Sequence, residues 1–307
     1  MEFAVFCRPM KSSSRRFKRL QPLLGTYVAI ELQGQAEERL LNQYITEGFK
    51  AIAQIEQLMS FHRSDSDLTR LNRAKPNVWM GVISPFTVEV LKFSNELFQI
   101  SQGVFDIRCG SSLVDLGILP AFERRKVHSR INKNVFPLEI KGRRVKKTGP
   151  WILDLGGIAK GYAVDRAVAR IKRLALKFRF CGVVNAGGDL CVWGNAVVPM
   201  AVRIQGDASF WMRPFKISRT AAATSSVRTR FSSLKDVLSS EHVQMPQGKP
   251  LKEIKTVTVF ANQCLWADAL TKVVLLGSTD VAARCLSSYK ARALVFGSDG
   301  QLKKVIS

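Results

Sequence analysis

The chain contains no Cys-x-x-Cys pair and only three histidines among 307 residues, so it lacks the clustered thiolates and imidazoles that make a structural zinc site. Its six cysteines (Cys7, Cys109, Cys181, Cys191, Cys264 and Cys285) stand singly and read as reduced thiols. No apolar run reaches the ~18 residues that a bilayer span requires. The apolar stretch before Arg8 is too short for a signal-peptide core, and no lipobox is seen. These absences favour a soluble cytoplasmic protein. Acidic residues are also scarce, 24 against 47 Lys and Arg, for a formal net charge of +23. Such a field attracts anionic partners without specifying a fold. Nucleic-acid binding would call for basic residues interleaved with aromatics along one platform. Here they cluster instead at Arg15–Arg19, Arg124–Lys126 and Arg143–Lys147. No specific nucleic acid is expected, solvated charge accounts for the clusters, and peripheral contact with an anionic membrane or an acidic protein stays open.

Hydrophobic content of 46% suffices for a substantial core. Residues 1–19 are expected to form a flexible basic leader, and 20–307 one domain with an exposed basic insertion, a loop or hairpin, around 120–150. The β-branched and aromatic run 24–32 predicts a strand. Leu41, Ile45, Ile52, Ile55 and Met59 predict a helix over 37–59, and a second helix follows over 85–101. Trp151–Leu155 reads as a strand, followed by Gly156-Gly157 and a helix. Residues 183–194 read as two strands around a glycine turn, with further strands at 200–205, 215–223 and 255–261. Helices are expected over 264–277 and 280–288. The irregular alternation predicts an α+β fold of mixed, largely antiparallel sheets with packed helices.

Three segments carry candidate chemistry. In Asp154-Leu155-Gly156-Gly157-Ile158-Ala159-Lys160-Gly161, glycines precede a helix start whose N–H groups can hold a phosphate, with Lys160 as a cation and Asp154 as a carboxylate. A tight turn packing helix on strand explains the same pattern. Asp268 and Thr271, three apart on one helix, offer the carboxylate and hydroxyl that magnesium favours, or they cap and bond backbone. Gly187-Gly188 permits positive φ or close approach in a turn.

Together and in order, these segments resemble the FAD:protein FMN transferase (ApbE) family. The resemblance rests on Leu24-Gly25-Thr26, Ser66–Asn72, Gly103-Val104-Phe105-Asp106, the twelve residues Asp154–Asp165, Asn185–Asp189, Ala223-Thr224-Ser225-Ser226, His242 with Pro246, and Ala267–Leu270. It implies an ApbE-like fold and magnesium-dependent transfer of FMN from FAD to a Thr or Ser hydroxyl of an acceptor flavoprotein, with release of AMP. The other activities it allows are FAD pyrophosphatase and non-catalytic FAD binding. By the same resemblance, Gly157, Asp268 and Thr271 are the metal ligands. Leu24, His62, Val104, Phe105, Asp106, Asp154 and Lys160 contact FAD, and His242 is the base. His62 replaces a usual Tyr, either keeping a stacking role or standing as an exposed loop histidine. Thr271 lies one residue earlier than the family's usual Thr, whose place Lys272 takes. His242-Val243-Gln244-Met245-Pro246 lacks the family's carboxylate, and Leu24 replaces Met.

Overall fold

The computed structural model describes residues 6–7, 15–81, 83–120, 134–175, 180–204, 210–211, 215–227, 230–232, 235–239, 243–244, 249–250 and 256–307. Alternation of buried and accessible side chains selects its main strands, with Val28, Ile30 and Leu32 all fully buried on one side of theirs. Eight strands make the principal sheet: β1 (Arg15–Leu23), β2 (Thr26–Gly34), β3 (Phe180–Ala186), β4 (Asp189–Trp193), β5 (Ala221–Ser226), β6 (Thr256–Ala261), β7 (Arg292–Phe296) and β8 (Leu302–Ile306). Their spatial order is their chain order, and each is antiparallel to the next.

The chain leaves this meander to build a helical layer. Between β2 and β3 it forms α1 (Glu38–Met59), α2 (Asp67–Arg73), α3 (Pro85–Ile100), α4 (Gly110–Asp115) and α5 (Ala159–Leu174). Between β6 and β7 it forms α6 (Cys264–Leu276) and α7 (Thr279–Ser288). The main core joins α1, α5 and α6 to one sheet face through Ile52, Ile171, Val184, Val259 and Leu270. A smaller core on the opposite face contains Val183, Val192, Val198, Met200 and Ile217. There the strands Ala196–Met200 and Phe215–Ile217 pair antiparallel. The architecture is α+β with antiparallel sheets, as the sequence predicts.

Three expectations meet different structure. The first strand of the principal sheet begins at Arg15, so the last five residues of the expected leader are paired into that sheet. Their exchange of backbone hydrogen bonds with β2 outweighs the local repulsion of four basic side chains. Within the same leader Phe6–Cys7 pairs antiparallel with Ala196–Val197. Within the expected insertion, Leu138–Lys141 and Arg144–Lys147 do form a hairpin, one of the two forms expected there, and the difference is that it is anchored in the core. Leu138, Val145 and Lys147 of that hairpin are buried, and Lys147 Nζ donates to the carbonyls of Asn72 at 2.9 Å and Trp151 at 3.3 Å. Trp151–Leu155 is no strand, because its polar groups find other partners. Leu153 N–H donates to Asn72 Oδ1 at 2.8 Å, and Asn72 Nδ2 donates to the Leu153 carbonyl at 2.9 Å. One side-chain amide thus replaces a neighbouring strand.

Asp165, the last residue of the twelve-residue core segment, caps α6 from across the helix interface. Its two carboxylate oxygens accept the N–H groups of Cys264 at 2.9 Å and Leu265 at 2.8 Å, while Gln263 at the helix start supplies no side-chain cap. Burial pushes its pKa up from 3.8 to about 6, against the opposing pull of those N–H groups. A folded pKa above the unfolded one gives stability that is present below about pH 4 and lost as pH rises through about 6. The stability deficit of Asp165→Asn relative to the unmodified chain is therefore expected to be largest near pH 4 and to shrink toward pH 7. Urea unfolding at three pH values measures it, and a deficit that grows with pH would contradict the assignment.

Candidate functional site

A cavity of about 1110 Å³ opens between the β1–β2 end of the sheet, the start of α5 and the α6 surface. Leu24, His62, Val104, Phe105, Asp106, Asp154, Gly157 and Lys160 all line it, together with Thr224, Ser225, Ser226 and Lys272. Asp268 and Thr271 are fully buried behind that wall. His242 lies outside the described residues, as do Met245 and Pro246.

Local chemistry explains each placement. Leu24 and Gly25 turn β1 into β2 with φ of 57° and 68°, the positive values that a two-residue hairpin of this hand requires. Glu56 Oε1 accepts the Leu24 N–H at 2.9 Å and so ties the turn to α1. His62 is exposed just past the end of α1, where its N–H donates to Ser60 Oγ at 3.2 Å. Ser66 caps α2 by accepting the Thr69 N–H at 3.0 Å, and Asn72 near the end of that helix clamps Leu153. The Ser66–Asn72 segment thereby holds the stretch that carries Asp154.

Gly103, with φ of 79°, turns the chain after α3. Ser101 Oγ then accepts the Phe105 N–H at 3.0 Å. The Asp106 carboxylate is already engaged, because Arg108 Nε reaches its two oxygens at 2.9 and 2.8 Å and Arg108 N donates at 2.9 Å. Both side chains are only 2% exposed, so Asp106 borders the cavity as half of a neutral pair. Sequence reasoning missed Arg108; its position two residues on was the available signal.

At the core segment, Asp154 Oδ2 accepts the Gly156 N–H at 3.0 Å, which shapes the turn into α5. Burial raises the Asp154 pKa, opposed by the N–H groups of Gly156 and Leu155 and the nearby charges of His62 and Lys272. Lys160, in the first turn of α5, pairs with Asp189 Oδ2 at 3.2 Å. Asp189 is itself buried, which raises its pKa, and Lys160 opposes that rise. The Asn185–Asp189 turn therefore supplies a counterion, with Gly187 and Gly188 at φ of 67° and 110° making the turn itself. Cys109 also lines the cavity, and burial and the charges of Asp154 and Asp106 push its thiol well up.

On α6, Asp268 Oδ2 accepts the Gly161 N–H at 3.0 Å and Oδ1 is ion-paired to Lys272 Nζ. Lys272 also donates to the Asp268 carbonyl at 3.1 Å. Burial would raise the Asp268 pKa, yet Lys272, Lys160 and the Gly161 N–H together hold it low. Thr271 Oγ1 bonds the Asp268 carbonyl at 2.7 Å and Ser225 Oγ at 2.7 Å. Magnesium demands several oxygen ligands in near-octahedral geometry. In this arrangement both Asp268 oxygens have protein donors, the Thr271 hydroxyl has two partners, and a lysine ammonium sits against the carboxylate. Among the described residues no group of three or more His, Cys, Asp or Glu could hold a metal ion. The side chains as placed do not fit magnesium, and the physical reason is Lys272.

The chain matches the ApbE family over residues 24–295. It is 25% identical over 276 residues to the FAD:protein FMN transferase of Vibrio cholerae serotype O1, covering 83% of this chain and 80% of that one. The ApbE protein of Thermotoga maritima superposes with a TM-score of 0.78 at 21% identity, covering 94% of this chain and 97% of the other. The flavin transferase ApbE from Vibrio cholerae gives 0.73 at 21% identity, covering 96% and 98%. The apo flavinyl transferase ApbE of Pseudomonas stutzeri gives 0.73 at 22% identity, covering 97% and 95%. With the family's sequence pattern spanning nearly the whole chain and its segments gathered around one cavity, this protein belongs to the ApbE family.

Proposed function

We propose that this chain transfers the FMN half of FAD to a Thr or Ser hydroxyl of an acceptor flavoprotein and releases AMP. The observation that carries the reading is the convergence on one cavity of the α5 start, Lys160, Asp154 and the Leu24 turn. The ApbE family match and the similarity to the Vibrio cholerae transferase support it. In the reaction, the acceptor oxygen forms a bond to the FMN phosphorus while the bond from that phosphorus to the AMP oxygen breaks. The hydroxyl proton passes to a base, and AMP leaves with the bridging oxygen.

The chain's own groups suit those demands. The N-terminal end of α5 brings a positive helix dipole and backbone donors to the cavity, and Lys160 adds a cation there. Charge developing on the pyrophosphate is thereby stabilised by fixed groups. His242 is the base in this reading. Asp154, a cavity-wall carboxylate, and Asp189, the partner of Lys160, are the described carboxylates with burial-raised pKa values that could replace it. No step is assigned to magnesium, because Lys272 stands against Asp268. The reaction is taken as cytoplasmic, with the +23 charge drawing an acidic acceptor or an anionic membrane surface toward the protein. Among the described residues no helix is long and apolar enough to cross a membrane.

Incubation with FAD and co-expressed candidate acceptors, followed by mass spectrometry, is expected to show a covalent FMN adduct and free AMP. Free FMN and AMP without adduct would replace transfer by hydrolysis. Lys160→Ala is expected to weaken FAD binding by about tenfold in a calorimetric titration, the scale of one lost charge-assisted hydrogen bond. Unchanged affinity would leave Lys160 only its role as counterion to Asp189.

A further inference from the structure

Lys272 lies in the middle of the ligand set that the family resemblance assigns to a metal. Its ammonium is on Asp268, and a Cβ at Gly157 would come within 3.6 Å of its Cε and 3.7 Å of its Cγ. The lysine stem therefore passes beside Gly157, and its head ends on the carboxylate. Its side chain is 13% exposed, on the cavity wall. A fully buried carboxylate such as Asp268 requires a cation beside it. Here one is covalently attached, four residues along the same helix. An ammonium carries three hydrogens; two go to the Asp268 Oδ1 and carbonyl oxygens, which leaves the third for a ligand oxygen.

We propose that the Lys272 ammonium takes the place of the divalent cation, so that this chain binds the FAD pyrophosphate without added metal. The proposal rests on the FAD reading above and concerns which group meets the diphosphate. The Asp268 and Lys272 pair is neutral overall, whereas a carboxylate with a divalent ion would carry a net positive charge. The site thus offers a directed donor rather than a strong field. Thr271 has no ligand to hold in this arrangement, and its hydroxyl is used to join α6 to Ser225 on β5.

The test is calorimetric titration of the full-length chain with FAD, once in excess EDTA and once in excess magnesium chloride. The expected affinities agree within about twofold. A rise of tenfold or more with magnesium would overturn the proposal. Lys272→Thr restores a hydroxyl at that position and frees Asp268. It is expected to bind FAD about tenfold more weakly in EDTA, the scale of one lost charged hydrogen bond, and to recover on adding magnesium. Binding of FAD by this variant in EDTA at unmodified strength would also overturn the role of Lys272. Thermal melting monitors its folding, and if it does not fold the two titrations of the unmodified chain decide alone. Absence of FAD binding by the unmodified chain in both buffers would instead overturn the FAD reading itself.

Discussion

Asp268→Ala is expected to lose stability by about 3 kcal/mol, the scale for breaking a buried pair by removing one partner, and to lose FMN transfer altogether. Asp268 is fully buried and holds both Lys272 and the Gly161 N–H. Removing it strands a cation and an amide donor and frees the ammonium to swing away from the cavity. A double change, Asp268→Ala with Lys272→Met, takes away both charges and is expected to regain most of the stability while remaining inactive. Urea unfolding measures the first effect and mass analysis of the acceptor the second. Full stability in the single variant would show that Asp268 is not holding a buried charge, and adduct formation at the unmodified rate would remove it from the site.

Gly161→Ala is expected to be at least as damaging to the fold, although it adds one methyl group. A Cβ there would lie 2.3 Å from the Cys264 carbonyl oxygen, 2.6 Å from the carbonyl carbon and 2.8 Å from Asp268 Cβ. Two of those three atoms are backbone, so no side-chain rotation relieves the clash and α5 must move away from α6. Because the Gly161 N–H is a partner of Asp268 Oδ2, the same movement pulls the carboxylate out of register. Overpacking of this kind typically costs 1–3 kcal/mol when side chains can yield; here the loss is expected to exceed about 3 kcal/mol. A thermal melt unchanged within a few degrees would mean that the helices can separate freely. FAD titration at a temperature where the variant is folded separates the effect on the site from the effect on the fold.

The helices were legible because their apolar periodicity survives in the sequence, and α1, α3, α5, α6 and α7 lie within a few residues of where the spacing puts them. The strand expected at Trp151–Leu155 was not legible as it is, since apolar composition cannot reveal that a distant Asn72 replaces a neighbouring strand. At the site, the residues gathered around the cavity were those of the family's sequence segments. Their electrical state was not foreseeable: Asp106 is cancelled by Arg108, Asp189 is the counterion of Lys160, and Asp165 is a helix cap. Each of these depends on what folds against the residue. Lys272 was visible as a departure in sequence, but only its position against Asp268 and beside Gly157 gives it a chemical meaning.

The order of the sheet also bears on how quickly this protein can assemble. β2 and β3 are hydrogen-bonded neighbours, yet residues 35–179 lie between them, so their pairing must close a loop whose entropy penalty is about 4 kcal/mol beyond the constant term. The hairpins β1–β2, β3–β4 and β7–β8 can form locally, but the cavity needs Leu24 from the first, Asp154 and Lys160 from inside the long loop, and Lys272 from beyond β6. It exists only when that closure is complete. Folding should be slow for a chain of this length, and a molecule bound in the cavity should act mainly as a brake on unfolding, because it touches segments that come together last.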